Sequence, residues 1–428
     1  MNKTKEIWMT GFALFSLFFG AGNLILPPSL GVKSGMDWWI VVIGFSLTAV
    51  VIPIFAIYAH SRLQGTLFDF GKRVSPTFST VFCVLIYIIS VSIPSPRTAA
   101  VTHEMAVQPN WDISPLLTSI IYFSLVFIFA INRSKIISII GKYLTPIIVL
   151  IIIAIVVKAI ILDTSDFNPS EFEVPFVDGF LEGYQTFDAI GGVVVGAVIV
   201  ISLQLRGHTT FMAKKEIIKK AGIIAGGGLL LMYGGLVLAG HLSSPTFETG
   251  ASRTEILSSL SNLTLGSLGT SFLSVLVSLA CFTTAVGIVT GASDYVKGIA
   301  KESVLAFRIT AFLACLVGVL VGSFQVDLII TLAVPALMFL YPITIILILL
   351  NSLPKKYTSD RIFKIVVLVA FIFSIPDFLS FVIGKKALAG IIEVIPFAKY
   401  NLGWVLPSVL TLILLNFNRK PQEPSLSN

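Results

Sequence analysis

Apolar residues in this chain run in long unbroken blocks and do not alternate with polar ones. Residues 136–161 and 363–383 each exceed or match the roughly 20 residues that cross a bilayer as α-helix. Placing every such block predicts an all-α integral membrane protein of about twelve transmembrane helices. The predicted spans are 7–30, 38–60, 77–107, 115–131, 136–161, 179–205, 221–242, 267–297, 303–323, 326–350, 362–383 and 401–417. The third and eighth are long enough to tilt or to project beyond the lipid. The short alternating segments of a membrane β-barrel are missing from the pattern.

Composition agrees. Of 428 residues, 56% are hydrophobic and 12% charged, against about a quarter charged in soluble proteins. The net charge of +7 sits in short clusters between spans, which is a topology signal and not a nucleic-acid face. With the N-terminus in the cytoplasm, the inside loops collect Arg62, Lys72, Arg73, Arg133, Lys135, Lys142, Arg206, Lys214, Lys215, Lys219 and Lys220. Lys297, Lys301, Arg308, Lys355, Lys356, Arg361 and Lys364 follow the same rule. Outside loops carry Asp163, Asp166, Glu171, Glu173 and Asp178, and the basic exception is the last, with Lys385, Lys386 and Lys399. Both termini are therefore expected on the cytoplasmic side of the membrane. Lys3 and Lys5 before an apolar stretch resemble a signal peptide, but the stretch is too long and lacks a cleavage site, so it is expected to stay as the first span. Cys83, Cys281 and Cys315 fall within apolar blocks and read as packing residues. The chain is expected to form one transporter domain with a disordered cytoplasmic tail at 419–428. Its largest loops are 162–178 and 243–266, the second with room for a small surface helix.

Irregular backbone within a bilayer must be satisfied by protein or by a site. Two spans have the composition for it. The first contains Phe19-Gly20-Ala21-Gly22-Asn23 near mid-membrane, followed by Pro27-Pro28. The sixth contains Tyr184-Gln185-Thr186-Phe187-Asp188-Ala189-Ile190-Gly191-Gly192, and a carboxylate at that depth costs at least about 2.5–3.5 kcal/mol unless paired or wet. The two spans run in opposite directions. Interrupted helices at matching places in two inverted halves point to a transporter site, because split ends offer N–H groups to a carboxylate and carbonyls to an ammonium or Na⁺. The competing reading is that Gly20, Gly22, Gly191 and Gly192 only permit close helix packing.

Other features carry two readings each. Thr283 and Thr284, within Ala280-Cys281-Phe282-Thr283-Thr284-Ala285-Val286-Gly287, are hard-oxygen ligands for a monovalent cation or hydroxyls bonded back to a carbonyl one turn earlier. Arg97, in Pro94-Ser95-Pro96-Arg97-Thr98-Ala99, is a gate or the partner of Glu104 or Asp188. Asp294 and Asp377 read as structural or interfacial. The pairs Gly192/Gly196, Gly222/Gly226, Gly287/Gly291 and Gly318/Gly322 read as helix-packing surfaces. His60, His103, His208 and His241 are scattered at span ends without metal-ligand spacing, and there is no nucleotide-binding loop or nucleophile–base set. An enzyme is not expected.

The segment Phe12-Ala13-Leu14-Phe15 with Phe19-Gly20-Ala21-Gly22-Asn23-Leu24-Ile25-Leu26-Pro27-Pro28 resembles the BrnQ family of branched-chain amino acid:cation symporters. So do Pro94–Ala99, Asp188-Ala189-Ile190-Gly191 and Thr283-Thr284-Ala285-Val286-Gly287, and the likeness covers nearly the whole chain. The resemblance implies Na⁺-coupled uptake of leucine, isoleucine and valine at the plasma (inner) membrane of a bacterium. It also implies the LeuT-type fold of two inverted five-helix repeats, here 7–161 and 179–350, with two further helices over 362–417. On that likeness Asn23 and, more loosely, Thr186 are Na⁺ ligands. Thr283 and Thr284 form a second Na⁺ site with carbonyls near Ala280, Ser16 and Phe19.

The expected substrate site comprises Gly20, Ala21, Gly22, Asn23, Phe187, Asp188, Ala189 and Gly191. Asp188 has no counterpart in LeuT-type sites; its open roles are cation ligand, proton carrier and partner of the substrate ammonium. Rivals to Na⁺ symport are H⁺ coupling through Asp188 and a non-transporting sensor or channel. Apart from Na⁺, substrate and the lipid bilayer, no organic cofactor, nucleic acid or obligate protein partner is expected.

Overall fold

The computed structural model describes residues 3–132, 135–161, 167–248 and 250–417; the expected tail at 419–428 lies outside them. Among the described residues ten helices are long and apolar enough to cross a membrane, and a broken first span and a short last one bring the bundle to twelve. The first span is Lys3–Phe18, a non-helical Phe19-Gly20, then Ala21–Leu24 and Leu26–Lys33. The second is Gly35–Leu63, the third Pro76–Val107, the fourth Pro115–Asn132 and the fifth Lys135–Ile161. The sixth is again broken, as Pro175–Glu182, a 3₁₀ turn over Gly183–Thr186, and Asp188–Leu205. The seventh to twelfth are Phe211–Leu242, Arg253–Ile299, Val304–Gly322, Val326–Ser352, Asp360–Val382 and Val405–Phe417.

Hydropathy misplaces the start of the seventh span, while the eighth begins where expected, after a small helix for which 243–266 has room. The seventh helix begins ten residues before the expected 221, with Thr210 accepting the Ala213 N–H. Its first turns hold Lys214, Lys215, Lys219 and Lys220, polar residues that form helix as readily as apolar ones outside lipid. The expected loop 243–266 contains a helix from Arg253, opened by a Ser252/Glu255 capping box. At Gly266 the backbone turns to φ 72°, ψ −177° before the eighth span proper continues.

Helix pairing follows the glycines. The first span lies against the seventh so closely that a Cβ on Gly31 would sit 2.0 Å from the Val237 carbonyl oxygen, and one on Gly240 2.2 Å from that of Pro28. The sixth crosses the second in the same manner, with Gly44 against Phe176 and Gly179 against Val41 at 2.0 and 2.4 Å. Of the four glycine pairs expected to pack, Gly192/Gly196 meets Pro53, Ala56 and His60, Gly222/Gly226 meets Ile54, and Gly318/Gly322 meets Phe123 and Pro96. The Gly287/Gly291 expectation is corrected: a Cβ on either would meet nothing within 4 Å, because both face a cavity.

Asp377 is buried and accepts the Gly403 N–H at 3.2 Å, tying the eleventh span to the start of the twelfth.

Candidate functional site

The two broken spans meet side chain to side chain. The Asn23 carboxamide donates to both oxygens of Asp188, at 3.0 and 3.1 Å, and to the Phe18 carbonyl at 3.2 Å. Phe18 O is the last carbonyl of the first half-helix, which has no intrahelical partner of its own; the Gly20 N–H also reaches it, at 2.8 Å. Tyr233, wholly buried on the seventh span, brings its hydroxyl to 3.4 Å from Phe18 O, 3.5 Å from Asp188 Oδ2 and 3.3 Å from Asn23 Nδ2. A carboxylate, a carboxamide, a phenol and a helix-end carbonyl thus form one closed junction.

Sequence reasoning missed Tyr233. It sits inside Leu229-Leu230-Leu231-Met232-Tyr233-Gly234-Gly235, where a phenol reads as an aromatic core residue. The only sequence signal is a polar tip in a stretch with no other polar side chain.

On the sixth span, Phe187 takes the left-handed conformation, φ 60° and ψ 10°. For a non-glycine residue that costs about 1–3 kcal/mol, and it interrupts the helix between the two halves of the span. Thr186 accepts the Asp188 N–H at 3.2 Å and donates to Gly183 O at 2.9 Å, so it caps the second half-helix. Arg97 donates to Gln185 O at 2.8 Å and lies 5.6 Å from the Phe187 ring centre. It is 3% exposed and its Nε has no partner. The expected pairing of Arg97 with Glu104 or Asp188 is corrected: the bent third span aims the guanidinium at the sixth-span break, and Glu104 is engaged by Thr254 and the Val326 N–H.

A cavity of about 1570 Å³ opens beside the junction. Asn23, Gly20, Thr186, Phe187, Asp188, Gly191 and Arg97 all line it, as do Ser16, Thr283 and Thr284. Ala189, Phe19 and Ala280 are not on its wall. Gly22 and Ala21 belong to the first-span break, in the helical turn that follows Gly20. In this conformation both threonine hydroxyls donate to Ala280 O at 2.9 Å, and Ser16 pairs with Thr145 at 2.8 Å. Each hydroxyl oxygen keeps a lone pair for a cation.

The cavity extends to Met9 and Arg206, at the end of the bundle where the first span starts. The other end is closed by charge. Arg253 bridges Glu182 of the sixth span, at 2.9 Å, and Asp327 of the tenth, at 2.5 Å. At the open end, buried Glu6 accepts from Arg206 at 3.0 Å.

Residues 3–421 match the family profile described as branched-chain amino acid transport protein. The chain is 32% identical over 428 residues to the branched-chain amino acid permease BraB of Bacillus subtilis, covering 96% of this chain and 94% of that one. It is 31% identical over 420 residues to a branched-chain amino acid transport system 2 carrier protein of Pseudomonas aeruginosa, covering 96% and 95%. Both are named as transporters, not enzymes. Among solved structures, the inward-facing conformation of Mhp1 superposes with a TM-score of 0.62 at 11% identity, covering 96% of this chain and 89% of that one. A Na⁺-coupled sialic acid symporter, in a substrate-bound outward-open state, gives a TM-score of 0.55 at 14% identity, covering 97% and 90%. These likenesses establish the LeuT-type fold.

Proposed function

The chain belongs to the branched-chain amino acid transport protein family, and from that membership we propose that it carries leucine, isoleucine and valine into the cell by Na⁺-coupled symport. The observation that carries the reading is the Asn23–Asp188–Tyr233–Phe18 junction, which joins two oppositely directed broken helices on the wall of one cavity. A zwitterion needs a positive and a negative end to bind. The half-helix starting at Asp188 offers N–H groups and a positive dipole end, and Asp188 and the carbonyl end of the first half-helix offer the negative one.

Ser16, Thr283 and Thr284 stand on the same wall and supply hydroxyls suited to Na⁺. Its binding would stabilise the broken helices and raise substrate affinity, and linkage makes the effect reciprocal. Thr283→Ala with Thr284→Ala should weaken Na⁺ activation of uptake while leaving the folded yield intact, since each hydroxyl now bonds only within its own helix.

We read 7–161 and 179–350 as inverted repeats. The exchange of partners supports this: the first span packs on the seventh as the sixth packs on the second. With both termini cytoplasmic, the cavity opens inward and the Arg253 bridges close the outer side, as alternating access requires. The test is counterflow: vesicles preloaded with unlabelled leucine should draw in labelled leucine, and Asn23→Ala should abolish the exchange. A protein that binds leucine but shows no counterflow is a sensor, and the proposal fails.

H⁺ coupling is a second reading, favoured by the position of Asp188 on the cavity wall. It predicts that Asp188→Asn loses the pH dependence of uptake.

A further inference from the structure

The cavity wall carries glycines with no structural reason to be glycine. Gly191 lies in the helix Asp188–Leu205, and Gly287 in Arg253–Ile299. Neither has a positive φ. A Cβ added to either meets nothing within 4 Å. Glycine inside a helix is less stable than alanine there, so each destabilises its span with no return in backbone geometry or packing. Gly291, one turn beyond Gly287 on the same helix, is open to the cavity in the same way, whereas Gly192 would place a Cβ 2.9 Å from that of Ala56, and Gly196 one 2.2 Å from the His60 ring.

Gly191 and Gly287 are also placed together with the polar end of the site. Gly191 is three residues after Asp188, and Gly287 is four after Thr283, so each lies on the cavity face of its helix, one turn beyond a polar residue of the same wall. Tyr87, Ile190, Val194 and Ile288 line the same cavity and give it apolar walls. Arg97, nearly fully buried with an unpartnered Nε, reaches this cavity too. A cavity that receives a guanidinium with a free Nε–H and a carboxylate, and is widened by open glycines, is built to hold a ligand with a charged end and an apolar end.

We propose that Gly191 and Gly287 determine substrate size by setting the width of the compartment that takes the branched side chain. The inference rests on the transport reading above and deepens it. A methyl group at either position removes space that the larger side chains of leucine and isoleucine use and that valine needs less.

The experiment is uptake of leucine and of valine by proteoliposomes containing Gly191→Ala or Gly287→Ala. One methylene in an apolar pocket is worth roughly a 10–200-fold discrimination. The kcat/KM ratio of leucine to valine should therefore fall at least about tenfold. Stabilisation of the purified variants against heat by each amino acid gives a second readout that does not need turnover, and it should weaken for leucine more than for valine. An unchanged ratio in both assays overturns the proposal. So does an equal loss for both substrates, which would mean that the glycines serve helix approach in another conformation. If the unmodified protein transports neither amino acid, the transport reading itself fails first, and the size inference falls with it.

Discussion

Removing the Asn23 carboxamide leaves Asp188 with a single long contact to the Tyr233 hydroxyl. Hydrogen bonds to charged groups contribute about 1.5–3 kcal/mol, so Asn23→Ala should lower stability by that amount and remove transport. Thermal unfolding in detergent, read beside uptake, checks both. Tyr233→Phe should cost less, about 0.5–1.5 kcal/mol, because both of its longer bonds duplicate ones that Asn23 makes. Asn23 and Asp188 were legible in the sequence, since an asparagine between glycines and a carboxylate in an apolar run both break the rule of their surroundings. Tyr233 was not, because its polarity matters only through partners 210 and 45 positions away. The threonine pair could not be resolved from sequence either: the same hydroxyl satisfies a carbonyl one turn back or a cation, and the spacing is identical for both.

Among the helices, the breaks and the pairing glycines carry the architecture. Gly31→Ala would drive a methyl group into the Val237 carbonyl. Backbone cannot yield as a flexible side chain does, so the first and seventh spans should separate and the folded yield in size-exclusion chromatography should collapse. Gly191→Ala, which meets nothing, should elute as the unmodified protein does. The spans were legible because lipid demands about 20 apolar residues in a row. The helix at Arg253–Leu265 was only hinted at, since its polarity matches that of a loop. Its Arg253 clamps the sixth and tenth spans together. Arg253→Ala should leave two carboxylates facing each other without their cation and loosen that end. Faster hydrogen exchange over Arg253–Leu265 would register the change, and exchange equal to that of the unmodified protein would mean the clamp contributes nothing.

For the whole molecule, the sequence gives a charge asymmetry and the structure gives a shape asymmetry. Basic residues gather in the loops at the end where the cavity opens, while the opposite end is sealed by ion pairs. On the proposed orientation, with both termini cytoplasmic, they describe a carrier open to the cytoplasm, and the proposed substrate contacts lie at the meeting point of two broken helices. Hydroxyls and a carboxylate share one cavity wall; the proposed Na⁺ coupling assigns the ion to the hydroxyls, and the second reading assigns a proton to Asp188. The most direct test is accumulation of labelled leucine in proteoliposomes under an imposed inward Na⁺ gradient, with an H⁺ gradient alone as the parallel arm. Concentrative uptake with Na⁺ and none with H⁺ alone is the predicted result; uptake driven by H⁺ alone, or by neither gradient, would contradict it.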